Sequence, residues 1–305
     1  MNSKTYLLGI LVLSSTLAFA TGDEDRITTP LRSELPNAET VIVTVQKAKS
    51  GDAAAQNNLG DMFLTGSGFA VDCTRAFYWF HAAAQKGLPA AQFNLGNMYL
   101  NGRSVAPSIK EATKWYHKAA EQDFPAAMNQ MGAITENDQE AILWYQKAAT
   151  LGFAPAQNNL GVAYARGKGV VANQKTAAEW YAKAAVQGSP SAQNNLGLMY
   201  VLGRGVEQND KQAFEWFQKS AEQGFTLAQS NLALMYRDGR GVEQNKLSAA
   251  MWLQIAMNKN FEVARKLFME LKGKLTEEQI VLVDKLVMDW LAAHYPVVAK
   301  SNGNA

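Results

Sequence analysis

The sequence is poor in the side chains that most enzymes use for chemistry, with one cysteine and three histidines in 305 residues. With Cys73 alone, no intrachain disulfide can form, so the folded state must depend on its apolar core. Few general bases, nucleophiles or soft metal ligands are available, and no two carboxylates stand at a distinctive spacing. The sequence therefore predicts no enzyme activity, no catalytic residues, no cofactor and no metal.

An excess of charge of one sign is also absent, since 29 basic residues stand against 27 acidic ones. Nucleic-acid binding usually requires a clustered basic surface, so that function is not expected. After residue 20 the chain has no run of about 18 uninterrupted apolar residues, the length that a membrane-spanning helix needs. No transmembrane segment is predicted.

The first 20 residues have the organisation of a signal peptide. Lys4 supplies the positive end, residues 6–17 form an apolar segment, and Ala18-Phe19-Ala20 provides a small-residue cleavage signal. The next residue is not a cysteine that could carry a bacterial lipid anchor. We therefore expect an exported protein that is periplasmic or secreted.

Tryptophan, in contrast, is regularly spaced. Six of the seven tryptophans follow one another at steps of 36, 29, 36, 36 and 36 residues: Trp79, Trp115, Trp144, Trp180, Trp216 and Trp252. Such a period is typical of helical repeats, which must stack because a single unit cannot bury its apolar face. The sequence predicts an all-α fold, an α/α superhelical solenoid of stacked helix-turn-helix repeats.

The unit at residues 188–223 illustrates the repeat. A first helix, helix A, is expected to run from Pro190 to about Leu202, where two glycines in three residues break it, and a second, helix B, to run from Asp210 to about Gln223. The position that ends helix B holds only residue types that tolerate left-handed backbone, which predicts a recurrent C-cap: Gly87, Asp123, Gly152, Gly188, Gly224 and Asn260.

The repeats define the predicted organisation of the whole chain. A signal peptide at 1–20 and a disordered linker at 21–36 precede a capping helix at 37–50; six repeats follow at 51–86, 87–122, 123–151, 152–187, 188–223 and 224–259, then capping helices at 260–296 and a flexible tail at 297–305. The third repeat is seven residues short and lacks the glycine loop, so its helix A is expected to be truncated.

Small residues predict how the helices pack. Alanine recurs on either side of each tryptophan in helix B, so the indole is expected to fill the gap between closely packed helices. In helix A a leucine or methionine precedes a glycine in five repeats, as in Leu196-Gly197, and precedes Ala233 in the sixth. A glycine inside a helix lowers helix propensity, which indicates a close approach there.

The pattern A-Q-x-N-L-G-x-M-Y-x-x-G-x-G-V, found at residues 192–206, is followed by Ala213, Trp216-Phe217 and Gly224. It resembles the Sel-like repeat (SLR) family, relatives of the tetratricopeptide repeats, over residues 51–259. The resemblance implies a superhelical adaptor for protein complexes; bacterial members are often exported and tied to host interaction, envelope maintenance and signalling. A cysteine-rich branch is associated with β-lactam binding or hydrolysis, but this chain lacks its paired cysteines.

The resemblance also implies that helix A lines the concave face, with side chains at spacing i, i+4, i+7 pointing to a partner. The residues predicted to bind a protein or peptide there are Asn57, Asp61, Phe93, Asn97, Asn158, Asn194, Leu198, Val201 and Arg237. Asparagine suits a peptide backbone because its amide both donates and accepts. The neighbouring, nearly uniform column is predicted to form hydrogen bonds between repeats: Asn58, Asn94, Gln130, Asn159, Asn195 and Asn231.

Other interpretations remain open. His81 and His117 share one column, but no third metal ligand stands at matching positions. Lys168, Arg204 and Arg240 are a candidate basic ridge for weak contact with an anionic glycan or a membrane surface. The predicted function is a protein-binding adaptor; the alternatives are an envelope enzyme acting on β-lactams or peptidoglycan and a secreted host-interaction factor.

Overall fold

The computed structural model of the chain describes residues 36–257 and 261–294. Within these ranges the chain forms helices joined by turns and short loops, with no β-strand, so the predicted all-α solenoid of helix-turn-helix repeats is confirmed. The predicted signal peptide, the linker before residue 36, the cap at Asn260 and the tail at 297–305 lie outside the described residues.

The helices of the described residues are numbered α1 to α15 in chain order. They are α1 Ala38–Lys49, α2 Ala53–Thr65, α3 Cys73–Gln85, α4 Pro89–Asn101, α5 Ile109–Ala120, α6 Pro125–Ile134, α7 Asp138–Thr150, α8 Ala154–Arg166, α9 Gln174–Val186, α10 Pro190–Leu202, α11 Asp210–Glu222, α12 Thr226–Asp238, α13 Lys246–Met257, α14 Glu262–Lys272 and α15 Glu277–His294. The even-numbered helices α2 to α12 are the A helices of the six repeats, and the odd-numbered helices α3 to α13 are the B helices.

Local sequence sets the ends of each helix, as α10 shows. The hydroxyl of Ser189 accepts a hydrogen bond from the backbone N–H of Ala192, and Pro190 takes the first helical position, where it sacrifices no hydrogen bond. Gly203 ends the helix in left-handed conformation, with φ of 61° and its N–H donated to the Met199 carbonyl. The predicted bounds of helix A are confirmed.

The predicted C-cap column after the B helices is confirmed at all five described positions. Gly87, Gly152, Gly188 and Gly224 have φ between 82° and 94°, and Asp123 has φ of 55°. A Cβ added to any of the first three would meet no atom within 4 Å. Glycine recurs there because of the left-handed backbone, and space is not the constraint.

The short third repeat has the predicted truncated A helix. Helix α6 has 10 residues where the other A helices have 13. It ends at Thr135, whose hydroxyl donates to the Met131 carbonyl at 2.7 Å, and Asn137 then caps α7 by accepting from the N–H groups of Gln139 and Glu140. The chain thus replaces the missing glycine loop with two side-chain caps.

The main filler between the helices is the aromatic ring that follows each tryptophan. Phe80, Tyr116, Tyr181 and Phe217 are fully buried. Trp115 and Trp252 are buried, but Trp79, Trp144, Trp180 and Trp216 are only half-buried. The expectation that the indoles fill the gap is therefore wrong for these four. Their outer faces are instead covered by lysines three residues on, such as Lys219, whose Nζ lies 4.4 Å from the Trp216 ring centroid.

The glycine inside each A helix makes room for this buried ring. A Cβ at Gly60, Gly96, Gly132 or Gly197 would lie only 2.6 to 2.7 Å from a ring atom of Phe80, Tyr116, Tyr145 or Phe217, respectively. In the sixth repeat the glycine is replaced by Ala233, and the ring position holds Leu253. The close approach predicted from the glycine column is confirmed, and its partner is this ring.

The described residues divide into two compact units, 36–172 and 173–294. In the first, Val41, Val45 and Ala48 of α1 join the core of the first repeats. In the second, the capping box predicted before α15 is confirmed: Thr276 and Gln279 each accept a hydrogen bond from the other's backbone N–H. No helix in the described part of the chain is both long enough and apolar enough to cross a bilayer.

Candidate binding face of the A helices

The predicted partner-binding residues lie on one side of the A helices, and we call this set the A-helix stripe. Each compact unit contains its own part of the stripe, and the two parts are described separately. The stripe consists of Asn57, Asp61, Phe93, Asn97 and Asn158 in the first unit, and Asn194, Leu198, Val201 and Arg237 in the second.

A ladder of asparagine hydrogen bonds ties successive A helices together beside the stripe. The side-chain amide of Asn94 donates to Asn57 at 3.0 Å, that of Asn159 to Asn129 at 3.0 Å, and that of Asn231 to Asn194 at 2.8 Å. In each pair the donor belongs to the neighbouring column of the next repeat. The structural role predicted for that column is therefore confirmed at these positions, and the Oδ1 atoms of Asn57 and Asn194 are engaged within the protein.

In the first unit, part of the stripe is open to solvent. Asn57, Phe93 and Asn97 are half-buried, and Asp61 is exposed. The Oδ1 of Asn97 accepts a hydrogen bond from the Tyr116 hydroxyl at 2.7 Å, a contact that the sequence analysis missed. Tyr116 belongs to the buried ring column, so the aromatic residue after each tryptophan was the available signal.

Phe93 interrupts the ladder because it occupies a stripe position without an amide. Its ring packs against Tyr116 and Phe124, with centroids 5.8 and 5.5 Å away. The three rings leave Phe93 half-buried at the surface of the first unit. The stripe there presents an aromatic surface bordered by polar groups.

The structure corrects the expectation that the whole stripe is accessible. Asn158 and Asn194 have no exposed surface, and Leu198 and Val201 are 2% and 3% exposed. Leu198 and Val201 belong to the apolar core of the second unit, and Asn194 is engaged by Asn231. As placed here, these four side chains contribute to packing and offer a partner little surface.

Arg237 is half-buried and already paired. Its Nε and Nη2 donate to the carboxylate of Asp238 at 2.7 and 2.8 Å. This bidentate pair raises the pKa of the guanidinium above its ordinary value and keeps it charged. Arg237 therefore lies where the sequence placed it, but its hydrogen-bonding groups are largely used within the chain.

Asp61 has the opposite character. Surrounding protein removes water from its carboxylate and thereby raises its pKa above the ordinary value of 3.8. No ion pair with Asp61 occurs in the described ranges, and no nearby charge contributes to the shift. A solvent-accessible carboxylate that is nevertheless desolvated is typical of a concave surface, where protein surrounds the group without touching it.

Replacing Asp61 by asparagine is expected to stabilise the fold at pH 7. Because the folded-state pKa is raised, the native chain binds this proton more tightly than the unfolded chain, and the charged form costs stability. The cost is fully present above the raised pKa and disappears as pH falls below 3.8. Melting temperatures of wild type and Asp61→Asn should therefore differ at pH 7 and converge in acid; equal values at pH 7 would contradict the assigned desolvation.

The candidate basic ridge on the glycine loops is mostly occupied by internal ion pairs. Lys168 lies 3.2 Å from the Asp138 carboxylate, and Arg240 donates two hydrogen bonds to Asp210 at 2.6 and 3.0 Å. In both cases the acid begins the helix B of the preceding repeat. Arg204 is exposed, and the corresponding helix begins with Gln174. The ridge therefore gives no support to an anionic glycan or membrane surface as partner.

The two histidines in register contact tryptophans. The ring of His81 meets Trp115 edge to face, and that of His117 meets Trp144 in the same way, both with centroids 6.1 Å apart. No group of three or more histidine, cysteine, aspartate or glutamate side chains within the described ranges is arranged to hold a metal ion. The histidine column is thus part of the packing between successive B helices.

These features define the class of the protein: a helical repeat protein whose A helices form a hydrogen-bonded face. The Sel1 repeat family model matches residues 53–88, 89–124, 126–153, 154–189, 190–225 and 226–261. The chain belongs to the Sel1 repeat family. Members of this family bind proteins. No curated protein sequence matches the chain.

Two solved structures support the assignment. One is a protective antigen present in uropathogenic Escherichia coli strains displaying an SLR fold, with 31% identity over 86% of this chain and a TM-score of 0.76; the match spans 58% of that protein. The other is a Sel1 repeat protein from Oxalobacter formigenes, with 35% identity over 72% of this chain and 94% of that one, and a TM-score of 0.69.

Proposed function

We propose that the protein is an exported adaptor that binds a protein or peptide through the accessible part of its A-helix stripe. The carrying observation is the surface formed by Asn57, Asp61, Phe93 and Asn97 in the first unit. It combines a half-buried ring with polar groups on a scaffold fixed by inter-repeat hydrogen bonds. Interfaces of this kind are favoured by aromatic anchors surrounded by polar groups.

Site-specific photo-crosslinking in cells tests this proposal. A photoreactive phenylalanine analogue placed at Phe93 samples the stripe, and the same analogue at Tyr78 samples helix B, where the natural side chain is 63% exposed. We expect the Phe93 derivative to form a discrete crosslinked product in the envelope or culture fluid and the Tyr78 derivative to form none. Equal products from both positions, or none from Phe93, would reject the stripe as the binding face.

The enzyme alternative has no supporting arrangement within the described ranges, and the single cysteine lacks the pairing of the β-lactam-associated branch. We therefore propose a non-enzymatic role. Purified protein is expected to leave nitrocefin intact at a rate indistinguishable from buffer. Turnover that depends on the folded chain would favour the envelope enzyme instead. The secreted host-interaction alternative likewise has no specific observation in its favour.

Export is supported by the signal-peptide pattern of residues 1–20. The protein recovered from the envelope or medium is expected to begin at Thr21, which intact mass measurement would show as the loss of 20 residues. Ala18→Arg and Ala20→Arg together remove the small residues that cleavage requires and should leave the precursor uncleaved. A full-length wild-type protein confined to the cytoplasm would contradict export.

A further inference from the structure

The accessible stripe of the first unit has a particular distribution of hydrogen-bonding groups. Asn57 and Asn97 each use the Oδ1 atom within the protein, the first accepting from Asn94 and the second from Tyr116. What remains of each amide is its Nδ2, a donor. Two outward donors therefore lie on this surface, and they suit the carbonyl oxygens of a bound backbone.

The Asp61 carboxylate supplies a charged acceptor on the same surface. It lies one helical turn from Asn57, and Asn97 is its counterpart in the next repeat. A desolvated anion gains most from a cation that brings hydrogen-bond donors, since such pairs are stronger than neutral hydrogen bonds. The side chains of lysine and arginine meet this requirement, and their aliphatic stems favour an apolar or aromatic surface such as Phe93.

The spacing of these groups suits a polypeptide. Packed helices lie about 8 to 10 Å apart, which corresponds to about three residues of extended chain at roughly 3.3 Å each. A segment that crosses α2 and α4 would thus place one or two carbonyls near the amides and one side chain near Asp61. A lone carboxylate with no second charged ligand offers little to a metal ion.

We propose that Asp61 receives the cationic group of a lysine or arginine on an extended segment of the partner protein, with Asn57 and Asn97 donating to its backbone and Phe93 contacting the side-chain stem. This inference deepens the proposed function and rests on it. It assigns the partner segment a basic residue at one fixed position and leaves the rest of its sequence free.

Selection of random phage-displayed dodecapeptides on the purified protein tests the inference. Peptides selected on wild type are expected to carry lysine or arginine at one aligned position. Asp61→Asn should remove that preference, and Asp61→Lys should replace it with aspartate or glutamate. Glu215→Asn, which changes an exposed carboxylate on helix α11, is the matched control and should leave the preference intact.

A selected peptide is then compared with its norleucine analogue by fluorescence anisotropy. Loss of the cation is expected to weaken binding to wild type about tenfold and binding to Asp61→Asn very little. Affinity of the lysine peptide should also fall from 50 to 500 mM salt, because the charge pair is screened. Circular dichroism verifies that each variant is folded.

The outcomes separate the inference from the function on which it rests. Peptides that bind the stripe without any basic preference, or with a preference that survives Asp61→Asn, overturn the role of Asp61 and leave peptide binding in place. Failure to select any peptide whose binding depends on Phe93 overturns both. Reversal of the charge preference by Asp61→Lys supports the direct contact.

Discussion

Replacing Phe217 by alanine is expected to lower the free energy of unfolding by about 3 to 5 kcal/mol. The ring is fully buried, lies against Gly197 and belongs to the apolar core of the second unit. Removing it leaves a cavity between α10 and α11 that neighbouring side chains cannot fill without leaving their rotamers. The loss is thus the sum of burial and of contacts around the cavity.

The adjacent Trp216→Ala provides the matched control. This indole is larger, but it is half-buried and one face is covered only by Lys219. Its truncation is expected to cost about 1 to 2 kcal/mol. Urea denaturation followed by circular dichroism measures both variants, and hydrogen exchange shows whether α10 and α11 are the helices that open. A larger cost for Trp216→Ala would reverse the assigned roles.

The helix boundaries could be predicted from sequence because they depend on local conformation. A left-handed residue is required wherever a B helix turns back, and only glycine, asparagine and aspartate adopt that backbone cheaply. This is why even Asp123, with φ of 55°, fits a column otherwise made of glycine in the described residues. The shortened α6 followed from the same logic, since the missing residues were the glycine loop itself.

Burial depth along the stripe could not be predicted in the same way. Spacing i, i+4, i+7 gives the side of a helix on which a residue lies, and it contains no information on what covers that side. Asn57 and Asn194 occupy equivalent positions and both accept a ladder hydrogen bond, yet one is half-buried and the other has no exposed surface. Only tertiary packing distinguishes them.

Charge pairing was also out of reach of the sequence. Lys168 and Arg240 recur in the glycine loops and suggested an exposed basic ridge, but each meets an aspartate 30 residues earlier in the chain. Asp61 is the reverse case, because nothing in its sequence neighbourhood shows that it lacks such a partner. Pairing between repeats depends on which loop lies on which helix start, and the glycine at position 205 or 241 fixes that contact: a Cβ there would overlap a backbone carbonyl.

Gly197→Ala is expected to destabilise the protein by about 1 to 3 kcal/mol, although alanine is the better helix former. The added Cβ would lie 2.7 Å from the Phe217 ring, so either the ring or the backbone must move. The sixth repeat already contains the compensated pair, Ala233 with Leu253, both buried. The chain thus supplies the variant that should relieve the overlap.

Introducing Phe217→Leu into Gly197→Ala copies that pair into the fifth repeat. The double variant is expected to be more stable than the sum of the two single losses by at least about 1 kcal/mol, because the smaller side chain admits the methyl group. The reciprocal variant Ala233→Gly, in which Leu253 is too small to fill the space, should be destabilised. Urea denaturation of the four proteins closes the cycle. Strict additivity would mean that glycine is retained at position 197 for a reason other than the ring.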